Sequence, residues 1–270
     1  MKTYLFIFIA LMIMFCSCEK VITIDLNSTD PRLVVEANVT DSVGHYTVKL
    51  SKSINFYDSN TFPQVTDATV NISDNAGNSE TLNQPFPGAY QTDSLQGTPG
   101  RTYTLKINWN NKVYSAVATM PMRVPIDSVG IVLRNPDFGR GGGGGKPRYR
   151  VSCHFTDPPG LGNYYRLQMR SNDTLAFDQT RFSLLSDKLT DGQPMSMSFN
   201  TSLIPGDSVT VLLECIDKAT YDFYSMFRQV VNNEPNFLSA PPANPVNNIS
   251  NGGLGYFAVY SNSTKTVVIQ

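Results

Sequence analysis

Leu33-Val34-Val35-Glu36-Ala37-Asn38-Val39 places an apolar side chain at every second position and carries no helical period. Leu33, Val35, Ala37 and Val39 share one face of an extended chain, the pattern of a half-buried β-strand. The same β-branched and aromatic alternation recurs at Tyr46-Thr47-Val48-Lys49-Leu50 and Ala68-Thr69-Val70-Asn71-Ile72. It returns at Tyr103-Thr104-Leu105-Lys106-Ile107 and Val113-Tyr114-Ser115-Ala116-Val117. Asp41-Ser42-Val43-Gly44, Asp74-Asn75-Ala76-Gly77 and Pro99-Gly100 punctuate these runs as turns. Seven or so strands in roughly 100 residues predict an immunoglobulin-like β-sandwich over residues 18–122. Pro121 and Pro125 then break the pattern, and a second β-rich domain is expected over 123–270.

That second part opens with a strand from Ile126 to Leu133. Further strands are expected at Tyr149–Phe155, Tyr164–Arg170, Met195–Phe199 and Ser208–Cys215, and finally at Leu254–Tyr260 and Thr266–Ile269. Between them the period changes once. Ala219, Phe223, Met226, Phe227, Val230 and Val231 fall on one helical face, predicting an amphipathic helix near 218–232. Asp217 is placed to cap it, and Pro235 closes off its continuation. The fold class is therefore mainly all-β with one helix.

Gly139-Arg140-Gly141-Gly142-Gly143-Gly144-Gly145-Lys146-Pro147 is too glycine-rich to order cheaply. Pro147 stands where a phosphate loop needs Ser or Thr, and Arg140 where it needs its first glycine. A flexible hairpin loop over 139–147 is expected instead. It is locally basic through Arg140, Lys146, Arg148 and Arg150.

The N-terminus gives an address. Met1-Lys2-Thr3 precedes an apolar run from Tyr4 to Phe15, which reads as a secretory signal and is too short to span a bilayer alone. Its end, Phe15-Cys16-Ser17-Cys18, resembles the lipobox of bacterial lipoproteins, where cleavage precedes an acylated Cys. Residues 1–17 are then the signal peptide, and Cys18 is the lipidated residue. Each buried methylene contributes about 0.8 kcal/mol, so several acyl chains make attachment to a membrane lasting. Export also bears on Cys153 and Cys215, the two cysteines of the body. Both lie on apolar faces of expected strands, and an oxidising compartment would permit a disulfide between them. Two separate buried thiols fit the same sequence, because the Cα separation is not encoded.

Composition excludes several chemistries. The 270 residues carry 21 Lys and Arg against 22 Asp and Glu, and this near-balance argues against a general nucleic-acid binder. His45 and His154 are the only histidines, too few for a three-histidine metal centre. A Gly-x-Ser-x-Gly nucleophile elbow does not occur. The Asp74-Asn75-Ala76-Gly77-Asn78 loop lacks the spaced carboxylates of an EF-hand and reads as a β-turn. No catalytic residue, metal or cofactor is expected.

Asp-(Ser/Thr)-apolar triplets occur at Ser42, Ser94, Ser128, Thr174 and Ser208, counted by their hydroxyl residue. The triplet resembles the O-glycosylation acceptor of Bacteroidetes exported proteins. Asp-Ser leading into Val or Leu is also how a turn enters a strand.

Several stretches are similar to one family. They are Cys18-Glu19-Lys20-Val21-Ile22, Leu33-Val34-Val35-Glu36, Ala68 to Gly77, and Pro99-Gly100-Arg101-Thr102-Tyr103-Thr104-Leu105. The most specific is Asn244-Pro245-Val246-Asn247-Asn248-Ile249-Ser250-Asn251-Gly252-Gly253-Leu254-Gly255-Tyr256-Phe257. In this order they resemble the Bacteroidetes outer-membrane lipoproteins of domain of unknown function 4249, over nearly the whole chain after Cys18. The resemblance implies an outer-membrane lipoprotein, often encoded beside a TonB-dependent outer-membrane transporter, and implies no catalytic residues. The expected role is a lipid-anchored binding or accessory subunit beside such a transporter. The leaflet it faces stays open. Asn247, Asn248, Tyr256 and Phe257 offer amide and aromatic groups suited to sugar or peptide recognition. A purely structural or adhesive envelope lipoprotein and a carboxylate-dependent hydrolase are the competing classes.

Overall fold

The computed structural model describes residues 30–55, 61–134, 148–172, 174–175, 182–232 and 245–270. Cys18 and the loop 139–147 lie outside them. The first strands are β1 (Leu33–Thr40), β2 (Thr47–Lys52), β3 (Thr69–Asp74), β4 (Ser79–Thr81), β5 (Asn83–Phe86), β6 (Ala89–Gln91), β7 (Thr102–Trp109) and β8 (Lys112–Thr119). There follow β9 (Ser128–Arg134), β10 (Arg148–Thr156), β11 (Tyr164–Ser171), β12 (Thr174–Leu175), β13 (Ser183–Ser186), β14 (Pro194–Ser202) and β15 (Ser208–Ile216). Helix α1 (Lys218–Asn232) and β16 (Leu254–Val268) complete the chain. The protein is mainly β, with one helix among the described residues.

A long sheet in the order β12-β11-β15-β16-β1-β2-β6-β5, with β13 also on β11, forms the base. Two small sheets, β4-β3-β7-β8 and β14-β10-β9, are separate from it. The alternation read from the sequence sets the packing. Leu33, Val35, Ala37 and Val39 of β1 are fully buried and meet Val70 and Ile72 of β3 and Leu105 and Ile107 of β7 in the first core. Further along the base, Val209, Val211, Leu213 and Cys215 of β15 meet Val151, Cys153 and Phe155 of β10 in the second.

The N-terminal unit expected over 18–122 is not self-contained. Its first core also takes Ile249, Phe257 and Val259. β16 runs parallel to β1 from Val34↔Leu254 to Thr40↔Tyr260, then antiparallel to β15 from Cys215↔Ser261 to Ser208↔Val268. The two strands expected at 254–260 and 266–269 are thus one. The polar stretch Ser261 to Lys265 stays extended because its backbone completes the ladder of β15. Polar clamps reinforce the join. Asp41 accepts from the Asn262 amide at 2.9 Å and from the Arg123 Nε at 2.8 Å, and Arg32 Nε donates to the Gly252 carbonyl at 2.7 Å.

Helix α1 begins where the sequence places it, with the Thr220 amide donating to the Asp217 carboxylate at 2.8 Å. Its buried face is a different one from the expected stripe. Thr220 and Tyr224 are buried, while Val230 and Val231 remain 37% and 43% exposed. The reason is that α1 rests on the outer face of the base sheet, opposite both cores, through its first turns and through aromatic rings. No helix among the described residues is long and apolar enough to cross a membrane.

The Asp74 loop is a hairpin turn between β3 and β4. Asp74 accepts from the Ala76 and Asn78 amides at 3.0 and 2.9 Å, and pairs with Arg101 at 2.7 Å. Burial alone would raise its carboxyl, but the Asn78, Arg101 and Ala76 donors outweigh burial and hold it down at about 2. A carboxyl held below its unfolded value stabilises fully above that value, about 3.9, and loses the contribution as pH falls through about 2. Asp74→Asn is therefore expected to flatten the acid limb of stability between those two values, read as denaturant midpoint against pH. An acid limb unchanged by the substitution would contradict this.

Candidate functional site

The outer face of the base sheet carries the outward half of each alternation. Next to α1 it is aromatic and ionic. Arg166 on β11 pairs with Glu214 on β15, neighbours in register, and both are buried. The Arg166 guanidinium lies 4.2 Å from the Tyr224 ring centre, 5.3 Å from Tyr260 and 6.0 Å from Phe182. Tyr256 packs its ring 4.7 Å from Phe223 and 5.6 Å from Tyr224. Burial pushes the Tyr256 and Tyr260 hydroxyls well above their ordinary value, so both stay neutral hydrogen-bonding groups near neutral pH.

Beyond the helix the same face opens into a groove of about 460 Å³. Glu36, Asn38 and Thr40 of β1 and Thr47 and Lys49 of β2 form its floor, the 42–46 loop one rim and Tyr256 the opposite wall. The floor is rigid because the alternate residues Val35, Ala37, Val39, Val48 and Leu50 are fully buried in the first core. Glu36 and Lys49 stand directly opposite across the β1–β2 ladder. Asn38 and Tyr224 hydrogen-bond the Tyr256 hydroxyl. The Asn38 Oδ1 atom is buried and has no hydrogen-bond partner. At the rim the His45 Nδ1–H donates to the Thr92 carbonyl at 2.6 Å, which leaves Nε2 as the free ring nitrogen.

Of the four residues expected to form a recognition surface, only Tyr256 lines this groove. The Asn248 side chain donates to the Phe257 carbonyl at 2.7 Å and accepts from its amide at 2.9 Å. Asn247 accepts from the Ile249 amide at 3.1 Å, and Phe257 is fully buried in the first core. These three fasten the segment before β16 to the sheet instead of presenting it to a ligand.

Cys153 and Cys215 are two free thiols, not a disulfide. They enter the second core from opposing sheets, each enclosed among apolar side chains. Burial pushes both up to about 11, so neither is a thiolate near neutral pH.

The candidate glycan acceptors Ser42, Ser94 and Ser128 are exposed, and Ser208 is half-buried. Ser128, Thr174 and Ser208 are each the first residue of a strand, as a turn-to-strand signal requires. Ser94 is engaged by the Glu80 carboxylate through both its amide and its hydroxyl, and Ser42 sits on the groove rim.

One cluster escaped the sequence reading. Asp157, Asp187 and Asp191 bring carboxylate oxygens within 4.8 Å of one another, the arrangement among the described residues that resembles a cation's ligand set. Backbone amides and one tyrosine hydroxyl already meet these acids. Asp157 accepts from Tyr165 and from the Gly192 amide, Asp187 from the Gly162 and Asn163 amides, and Asp191 from the Gly160 amide. Together they staple the loop after β10 to the loop before β14, which accounts for their proximity.

A family model described as Domain of unknown function (DUF4249) matches residues 19–266. The chain belongs to that family. Its members are defined by sequence and not by an activity, so the groove must be read from its own chemistry. Among curated proteins none matches the chain. Among solved structures, a segment of two fibronectin type-III domains from chicken tenascin aligns at 13% identity and a TM-score of 0.23, covering 69% of this chain and 91% of that one. The FN1–FN3 domains of chicken CNTN1 align at 10% identity and a TM-score of 0.26, covering 67% and 59%. The fold of this DUF4249 chain stands on its own strand pairing.

Proposed function

We propose that the chain is a lipid-anchored outer-membrane envelope protein that binds a ligand without transforming it, as an accessory subunit beside a TonB-dependent transporter. The observation that carries the binding half is the groove. It is built from side chains on two interior strands of a rigid sheet, a preformed recognition surface of a size suited to small molecules. The two histidines support binding over acid–base catalysis. His45 is tied to a carbonyl at the rim, and His154 lies on β10 of another sheet. The anchoring half rests on the apolar run Tyr4 to Phe15 followed by Ser17-Cys18. A lipid at Cys18 confines the module to the membrane and raises its effective concentration near a partner there.

Two results test the proposal. Cys18→Ala is expected to move the protein from the membrane fraction to the soluble fraction of the envelope. Retention in the membrane fraction would contradict the anchor. Affinity purification of the wild-type protein from native membranes is expected to bring down a TonB-dependent transporter. Its absence, under conditions that preserve known envelope complexes, would contradict the accessory role.

A further inference from the structure

We propose that the groove between β1, β2 and Tyr256 binds a neutral polyhydroxylated ligand, a saccharide of one or two rings. The inference rests on the reading of this groove as a binding site and adds the class of ligand. Hydroxyl, amide, carboxylate and ammonium groups alternate along the floor, and Val43, the aliphatic residue of the lining, is 90% exposed. An apolar ligand would strand those polar groups without water or partner. A hydroxylated one satisfies both kinds, because each hydroxyl donates once and accepts twice.

Two features narrow the class. Glu36 and Lys49 contribute one charge of each sign at adjacent positions, and neither belongs to any of the ion pairs among the described residues. An anion drawn to Lys49 meets the Glu36 carboxylate, and a cation drawn to Glu36 meets the Lys49 ammonium. A neutral ligand uses one as acceptor and the other as donor. Second, β1 and β2 are interior strands, flanked by β16 and β6, so their backbone groups are engaged. An extended peptide that recognises a sheet by adding a strand finds no edge here. Recognition must run through side chains, as it does for sugars.

The test is titration of the full mature chain, followed by backbone amide NMR, with neutral disaccharides (maltose, cellobiose, lactose and diacetylchitobiose). Inorganic phosphate and a trialanine peptide are run beside them. At least one disaccharide is expected to bind and to shift the amides of Asn38, Thr47, Lys49 and Tyr256. Lys49→Ala, which alters an exposed side chain, is expected to weaken that binding about tenfold, the worth of one hydrogen bond from a charged donor. Peptide or phosphate binding at these amides, with every disaccharide silent, overturns the ligand class and leaves a binding groove. Saccharide shifts elsewhere, indifferent to Lys49→Ala, overturn the placement. A folded chain whose groove amides respond to no probe overturns both the class and the binding reading.

Discussion

Gly255→Ala is expected to destabilise the protein by at least about 3 kcal/mol, one of the largest effects of any single methyl added to this chain. Gly255 has φ +97°, where a side chain is strained, and a Cβ built there would sit 1.9 Å from the Val35 carbonyl oxygen. That contact is backbone to backbone, so no rotamer relieves it. Relief requires β16 to move away from β1, which opens the parallel ladder at its start and pulls Phe257 from the first core. Gly252→Ala is the control. Its φ is +73°, but its Cβ would meet only the end of the Arg32 side chain, at 3.8 Å. It is expected to cost only the left-handed backbone term, about 1–2 kcal/mol. Denaturant midpoints measure both, and equal losses would contradict the close approach of β16 to β1.

Arg166→Met is expected to cost about 3–5 kcal/mol, because it leaves Glu214 buried without its partner. Methionine keeps much of the volume among Tyr224, Tyr260 and Phe182, so the loss reports charge more than packing. Adding Glu214→Leu removes the stranded carboxylate, and the double variant is expected to recover most of the loss. Well-packed apolar residues often replace a buried ion pair at no net cost. A double variant as unstable as the single one would show that the aromatic enclosure of the guanidinium, and not the ion pair, secures α1 to the sheet.

Much of the architecture was legible because it depends on period. The inward residues of β1, β10 and β15 were read from alternation alone, and α1 from one change of period with Asp217 as its cap. What escaped depends on which strands become neighbours. Nothing in Ser261-Asn262-Ser263-Thr264-Lys265 signals an extended strand until β15 lies beside it. The groove was hidden for the same reason. Glu36, Asn38, Thr47 and Lys49 look like ordinary outward positions of two separate strands, and only the β1–β2 and β1–β16 registers bring them together with Tyr256. A charge in the middle of each apolar strand, Arg166 and Glu214, was the available signal for the covered outer face. Asn247, Asn248 and Phe257 were read as recognition groups, and in the structure their polarity and aromaticity fasten β16 and the segment before it.

β16 joins the two cores and supplies the wall of the groove. The most direct measurement uses the reporters the chain already contains. Trp109, the single tryptophan, packs against the first core, and Cys153 and Cys215 lie in the second. In the mature chain carrying Cys18→Ala, tryptophan fluorescence and thiol labelling are followed through one denaturant titration. If β16 makes the cores one cooperative unit, the two probes give a single coincident midpoint. Thiols that become reactive while Trp109 remains native would show that the cores unfold separately, and would contradict it.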